Sequence, residues 1–339
     1  MIRSRHLRMA ARYLLHRPRK LHPFEVQANL CNTCNLRCVY CRCPEVETEL
    51  LTTEQWLGII RRLRRLGTLR IKFQGGEPTL HPDFRELSRA TKKAGMISAV
   101  ITNGLPAASQ PSLLDYLDEL VVSWDSPHRE TNDRLRGKGA YEGAKRAIEL
   151  GLERGLRTYV NMLLTSENLA HFDDMLDYCE SRGIKMNAQP VMYEQKSVYG
   201  EYFDDTVKKI ALTSEQIRSL HRRLAEGKRQ GRKFLFSSLA YQKTADWEDY
   251  SRSTVQKPGQ SPCMAGKYYF HIEPNGDVLP CALNESPFTP KNILKDGLED
   301  ALHHAKHHNC WDCWMVYMNE RKALFGLKLE ALLEIIKRG

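Results

Sequence analysis

No stretch of this 339-residue chain approaches the roughly 18 unbroken apolar residues of a membrane span, and its N-terminus lacks the apolar core of a secretory signal. A cytoplasmic location is the expectation. Acidic residues are absent from positions 1–24, which hold seven cations, Arg3, Arg5, Arg8, Arg12, Arg17, Arg19 and Lys20. The formal charge of +10 therefore falls to +3 over the other 315 residues. With no interleaved basic and aromatic surface in that body, nucleic acid is not expected as a partner. Cysteine is scarce outside tight groups: of ten, only Cys179 stands apart from the sets at 31–43 and 263–313. In a reducing compartment such grouping argues for metal or cluster ligation over disulfides.

What is present is a strand–helix alternation from residue 24 to 191. Apolar strands are expected at Glu25–Asn29, Leu69–Gln74, Ile97–Thr102, Leu120–Trp124, Arg157–Leu164 and Lys185–Val191, with helices near Thr53–Leu66, Asp83–Ala94, Ser112–Leu117, Tyr141–Arg154 and Leu169–Arg182. Thr52 with Gln55, and Thr213 with Gln216, read as capping boxes. Six units fall short of the eight of a closed barrel, so the pattern predicts an α/β fold, a partial (β/α)6 TIM-like barrel. Around it lie a basic amphipathic segment (1–23), a helical or irregular connection (192–259), a hairpin-plus-helix module (260–318) and a C-terminal helix (319–339). Tyr193, Glu194 and Tyr199 in the connection are substrate contacts by position alone.

Cys34, Cys38 and Cys41 follow the first strand, on the face where such a barrel carries its chemistry. Three thiolates this close can take three corners of a four-iron, four-sulfide cubane and leave the fourth iron open. A zinc site from Cys31, Cys34, Cys38 and Cys41 would have only three residues between its two C-x-x-C pairs, little chain for opposing knuckles. Cys31 and Cys43 are spare thiols on the cluster reading. At the end of the second strand, Gly75 and Gly76 would let backbone carbonyls approach a ligand, and Glu77 would complement an ammonium before Pro78. Thr102 and Asn103, Ser123 and Asp125, and Asn161 add polar groups to the third, fourth and fifth strands. Each alone could serve a turn; in register with successive strands they favour a cofactor site.

C-x3-C-x2-C with Tyr40 before the last cysteine, followed by Gly75-Gly76-Glu77-Pro78, resembles the signature of the radical S-adenosylmethionine superfamily. The resemblance implies a [4Fe–4S] cluster on Cys34, Cys38 and Cys41. It also implies S-adenosyl-L-methionine held by Tyr40, by Gly75 to Pro78 at the amino group, by Thr102 and Asn103, by Ser123, Asp125 and Asn161 near ribose and carboxylate, and by Arg136 pairing the carboxylate. The activity it implies is reductive cleavage to methionine and a 5'-deoxyadenosyl radical that abstracts hydrogen from an unidentified substrate, with flavodoxin or ferredoxin as electron donor.

Cys263-x12-Gly276-x4-Cys281 with Cys310-x2-Cys313 supplies four more thiolates, enough for a tetrahedral zinc or a second cubane. This segment resembles the SPASM or shorter twitch module. The implication is an auxiliary [4Fe–4S] cluster that, fully protein-ligated, transfers electrons and makes the net reaction an oxidation or bond formation. A zinc-binding structural protein is the competing reading. Peptide, sugar and lipid precursor are the candidate substrates; the few residues before the first strand disfavour a peptide unless a separate carrier presents it. Leu7, Ala10, Ala11, Leu14 and Leu15 form one face of a basic helix, so residues 1–20 are a candidate peripheral membrane contact. His303, His304, His307 and His308 read as a solvated helix face, and Leu324, Leu327, Ala331 and Leu332 as core positions of a helix running from Arg321 to Arg338.

Overall fold

The computed structural model describes residues 22–192, 196–197, 200–201, 205–255, 263–283, 288–308 and 310–338. The predicted N-terminal helix and Tyr193, Glu194 and Tyr199 lie outside them. The main sheet comprises β1 (Glu25–Asn29), β2 (Arg70–Gln74), β3 (Ile97–Thr102), β4 (Glu119–Ser123), β5 (Arg157–Leu164), β6 (Lys185–Pro190), β7 (Tyr269–Ile272), β8 (Asp277–Leu279) and β9 (Lys291–Asn292). Its order is β9-β8-β7-β1-β2-β3-β4-β5-β6. β1 to β6 pair in parallel, the predicted partial barrel. The late hairpin is not a separate sheet: β7 pairs in parallel with β1, Glu25 opposite Tyr269, and β8 and β9 follow antiparallel. An unpaired edge of β1 would expose its N–H and C=O groups, and β7 covers them.

Alternation makes the layers. Thr158, Val160, Met162 and Leu164 of β5 are buried, while Arg157, Tyr159, Asn161 and Leu163 face the barrel interior and remain half-exposed. Outside pack α1 (Thr53–Leu66), α2 (Phe84–Lys93), α3 (Arg129–Arg136), α4 (Ala140–Glu153) and α5 (Phe172–Ser181). α1 shows why these segments are helical: the Thr52–Gln55 capping box closes its start, Trp56, Ile59, Ile60 and Leu63 form its buried stripe, and Gly67 at φ 93° ends it. α6 (Ser214–Arg229), α7 (Ser238–Ala245), α8 (Leu298–His304), α9 (Val316–Phe325) and α10 (Leu329–Arg338) complete the long elements, α6 starting on the predicted Thr213–Gln216 box.

Three expectations fail. The helix expected at Ser112–Leu117 is a five-residue helix at Leu105–Ser109 and a 3-10 turn at Pro111–Leu114, because Pro111 favours a new start over continuation. α3 was not expected, its eight residues offering one large apolar side chain, Leu135. The C-terminal helix breaks into α9 and α10, with Leu327 at φ 56°. Leu327 is 38% exposed and Leu329 69%, whereas Ala331 is buried.

The start of the barrel is closed by charge. Glu25 pairs with Arg321 (2.5 Å), Arg70 (3.4 Å) and Lys72 (3.7 Å), and Glu119 with Arg70 (2.9 Å) and Arg157. Burial alone would raise the Glu25 carboxyl; Arg321, Lys72 and Arg70 hold it far below the usual carboxylate range. Polar recognition is thereby left to the opposite, C-terminal ends of the strands. Among the described residues no helix is long and apolar enough to cross a membrane.

Candidate active site

The cysteine loop leaves β1 and lies directly on the end of β2. Gly76 N–H donates to Cys31 O (2.7 Å) and Glu77 N–H to Thr33 O (2.8 Å). A Cβ on Gly75, at φ 145°, would stand 2.2 Å from Cys31 O, and one on Gly76 2.3 Å from Thr33 O. The glycines are thus required by the approach of the chain's own cysteine loop. The other side of the loop is tied by Val39 N–H to Leu135 O of α3 (2.9 Å).

Glu77 joins two strand ends. Its carboxylate is fully buried and accepts from Thr79 N (3.1 Å), Thr79 Oγ1, Thr102 Oγ1 (2.8 Å) and Asn103 N (2.7 Å). It therefore clasps the ends of β2 and β3, and burial raises its pKa against those donors. Asn103, so fixed, donates to Asn35 (2.8 Å) and brings its amide within 3.9 Å of Cys34 Sγ. Pro78 opens the 3-10 turn behind the clasp.

Asp125 is the second hub. One carboxylate oxygen accepts from Leu163 N (2.9 Å); the other accepts from Tyr40 Oη and from Arg136 Nη1 (3.1 Å), which also donates to Tyr40 Oη (2.8 Å). Two residues that sequence reasoning missed hold this turn: Asn132 accepts from Asp125 N (3.0 Å) and Asn168 donates to Asp125 O (2.7 Å). Arg136 also faces Cys38, whose thiol burial pushes up to about 11 while the guanidinium pulls it down. Burial raises Cys34 as well, and Cys41 N–H donates to Cys38 O (3.0 Å), closing a turn that keeps those two cysteines adjacent. Cys31 and Cys43 are buried, burial raises both thiols, and their Sγ–H groups reach Thr33 O and Asn32 O, the arrangement of inert structural thiols.

Ser123, Asn161 and a further missed residue, Asn187, stand side by side across β4, β5 and β6. Asn187 donates to Asn161 (2.7 Å). Its own Oδ1 and the Nε of Arg136 are buried without partners. Such groups suit a polar ligand carrying hydroxyls and a carboxylate, as S-adenosylmethionine does.

Far along the sequence, Cys263, Cys281, Cys310 and Cys313 line one cavity together with His308 and Met318. The knuckle bearing Cys310 and Cys313 is fixed from two sides. His308 Nδ1 accepts from Cys310 N (3.2 Å) while its Nε2 donates to Ala265 O (2.9 Å), so this histidine positions the knuckle, and only His303 and His307 of its group are exposed. Asp312 accepts from Lys243 (3.0 Å), Lys322 (3.2 Å) and Cys313 N (3.0 Å). The Cys263 thiol is lowered to about 7 and the Cys310 thiol raised, each chiefly through the other's proximity. Among the described residues no three His, Cys, Asp or Glu side chains gather tightly enough for a single metal ion; a cubane asks for one thiolate per iron.

The Radical SAM superfamily model matches residues 28–179, and a second model, the SPASM iron-sulfur cluster-binding domain, matches residues 263–322. Residues 28–179 are a radical SAM domain, and residues 263–322 a SPASM domain. Curated relatives of this radical SAM enzyme include the PqqA peptide cyclase of Rhizobium meliloti, 26% identical over 88% of this chain and 79% of the relative. Mycofactocin maturase MftC of Mycolicibacterium smegmatis is 29% identical over 83% and 72%. Among solved structures, Streptococcus suis SuiB bound to S-adenosylmethionine superposes with a TM-score of 0.63 at 20% identity, over 88% of this chain and 69% of SuiB. The fold is therefore the radical SAM partial barrel with a SPASM-type module. Its cofactors are S-adenosylmethionine and [4Fe–4S] iron–sulfur centres.

Proposed function

We propose that Cys34, Cys38 and Cys41 hold the S-adenosylmethionine-cleaving cluster, that Cys263, Cys281, Cys310 and Cys313 hold the auxiliary one, and that the substrate is a peptide undergoing a net oxidation or bond formation. The observation that carries the first assignment is the packing of the cysteine loop between the Gly75–Gly76 brace and the Asp125–Arg136–Tyr40 hub. A reduced [4Fe–4S] cluster held by Cys34, Cys38 and Cys41 would supply the one-electron chemistry that cleaves S-adenosylmethionine for hydrogen abstraction from substrate. The chain's own residues orient and desolvate. Arg136 Nε offers a donor to the methionine carboxylate, Ser123, Asn161 and Asn187 offer polar groups to the ribose, and the backbone beside Glu77 faces the amino group. Convergence of four cysteines on one cavity carries the second assignment.

For the substrate, the relatives weigh for a peptide. One is named a PqqA peptide cyclase, and SuiB has been solved with its precursor peptide SuiA at a TM-score of 0.63 and 19% identity. A flavodoxin or ferredoxin completes the proposal as electron donor. Cytoplasmic location and membrane contact through residues 1–20 are further parts of it; unchanged vesicle partitioning after deletion of 1–20 removes the latter. The test of the whole is anaerobic reconstitution with iron and sulfide, then assay of 5'-deoxyadenosine, beside a Cys34→Ala, Cys38→Ala, Cys41→Ala variant. About eight irons against about four, with deoxyadenosine from the wild type alone, is expected. Zinc in place of iron and no deoxyadenosine refutes the assignment.

A further inference from the structure

Tyr317 belongs to neither hub, yet its hydroxyl lies 3.8 Å from Cys281 Sγ inside the module. A cluster-bound thiolate has lone pairs and no proton, so the hydroxyl is the donor in that contact. The ring is held from behind. Arg321, one turn along α9, donates to Tyr317 O (2.9 Å) and sets its guanidinium 5.5 Å from the Tyr317 ring centre and 4.3 Å from that of Tyr269. Arg321 is itself fixed by Glu25 of β1 (2.5 Å). The hydroxyl is therefore pre-positioned by the barrel, not by the module alone. Hydrogen bonds to ligand sulfurs set the potentials of iron–sulfur centres. A donor stabilises the reduced centre more, because that form carries one more negative charge on its sulfurs.

We infer that Tyr317 is a positioning residue that raises the reduction potential of the auxiliary centre, suiting it to accept an electron from a substrate radical. This rests on the assignment of Cys281 as a ligand. Tyr317 touches the ligand sulfur without being a ligand itself, so its removal tunes the centre without dismantling it.

The test uses the full chain carrying Cys34→Ala, Cys38→Ala and Cys41→Ala, so that only the auxiliary centre is read, with Tyr317 or Tyr317→Phe. Phe keeps the ring against Arg321 and removes only the hydroxyl. Potentiometric titration followed by electron paramagnetic resonance is expected to show a negative shift for the Phe variant. A tenfold change in the one-electron reduction equilibrium corresponds to about 59 mV. Spectra in water are expected to show a proton coupling to the centre that is lost in deuterium oxide with Tyr317 and is absent in both solvents with Phe. Equal iron contents with an unchanged or more positive midpoint overturn the inference. Failure of the triple-alanine chain to bind about four irons overturns the four-cysteine assignment itself, a result separable from the first.

Discussion

Replacing Gly76 by alanine is the sharpest test of how the site is held. The added Cβ would meet Thr33 O at 2.3 Å, Asn32 O at 2.4 Å and Asn32 C at 2.7 Å, all backbone atoms. Keeping the loop in place against such overlap costs about 1–3 kcal/mol of overpacking. Letting it lift breaks the Gly76 N–H to Cys31 O and Glu77 N–H to Thr33 O bonds, at about 0.5–1.5 kcal/mol each. The two routes cost roughly the same, so global stability falls by about 1–3 kcal/mol by either, with the cysteine loop strained against β2 in the first and lifted off it in the second. Gly58→Ala is the control: its Cβ would meet only the tip of Arg61, 3.9 Å away, in mid-α1, and a gain of about 0.5–1 kcal/mol is expected. Urea denaturation reads the stability, and iron per chain reads the site. The Gly76 variant should hold about four irons in place of about eight and make little deoxyadenosine. Eight irons with wild-type yield would refute the claim that this glycine exists for the loop.

Arg136→Met should destabilise by about 3 kcal/mol, since it strips the buried Asp125 carboxylate of its cation while leaving Leu163 N and Tyr40 Oη as donors; a loss under about 1 kcal/mol in urea denaturation would contradict the burial argument. His221 is fully buried, donates to Ile217 O (2.8 Å), and is lowered by burial from 6.5 to about 4. The folded state thus binds fewer protons, so stability is full above pH 6.5 and declines toward pH 4, by about 2 kcal/mol between pH 7.5 and 5. His221→Phe should remove that slope, and a slope that persists would assign it elsewhere. Thr213→Ala opens the α6 capping box and should cost about 1 kcal/mol in thermal or urea unfolding, without changing iron content.

Much of the barrel was legible because each strand is a short apolar run with a helix of clear period behind it. β1, β3 and β5 lie where alternation put them, and α1 and α6 start on their capping boxes. The cysteine spacing and Gly75–Gly76 were legible as a site, but not the reason for the glycines, since contact with residues 31–33 is a tertiary fact. α3 was hidden by its polarity, as it buries Asn132 and Arg136 for hydrogen bonding more than for apolar contact. Asn132, Asn168 and Asn187 carried no signal, because asparagine in a strand–turn pattern reads first as a turn residue. The pairing of β7 with β1 was equally invisible: no local period specifies which distant strand covers an edge.

That pairing has a consequence for the order of events in the cell. Asn29, at the end of β1, donates to Glu273 across 244 residues of sequence, and Glu25 waits for Arg321. During synthesis the strand that launches the first cysteine loop has one side open until the last quarter of the chain has left the ribosome. A nascent chain arrested before β7 therefore exposes the thiols of the first cysteine loop beside an unfinished strand.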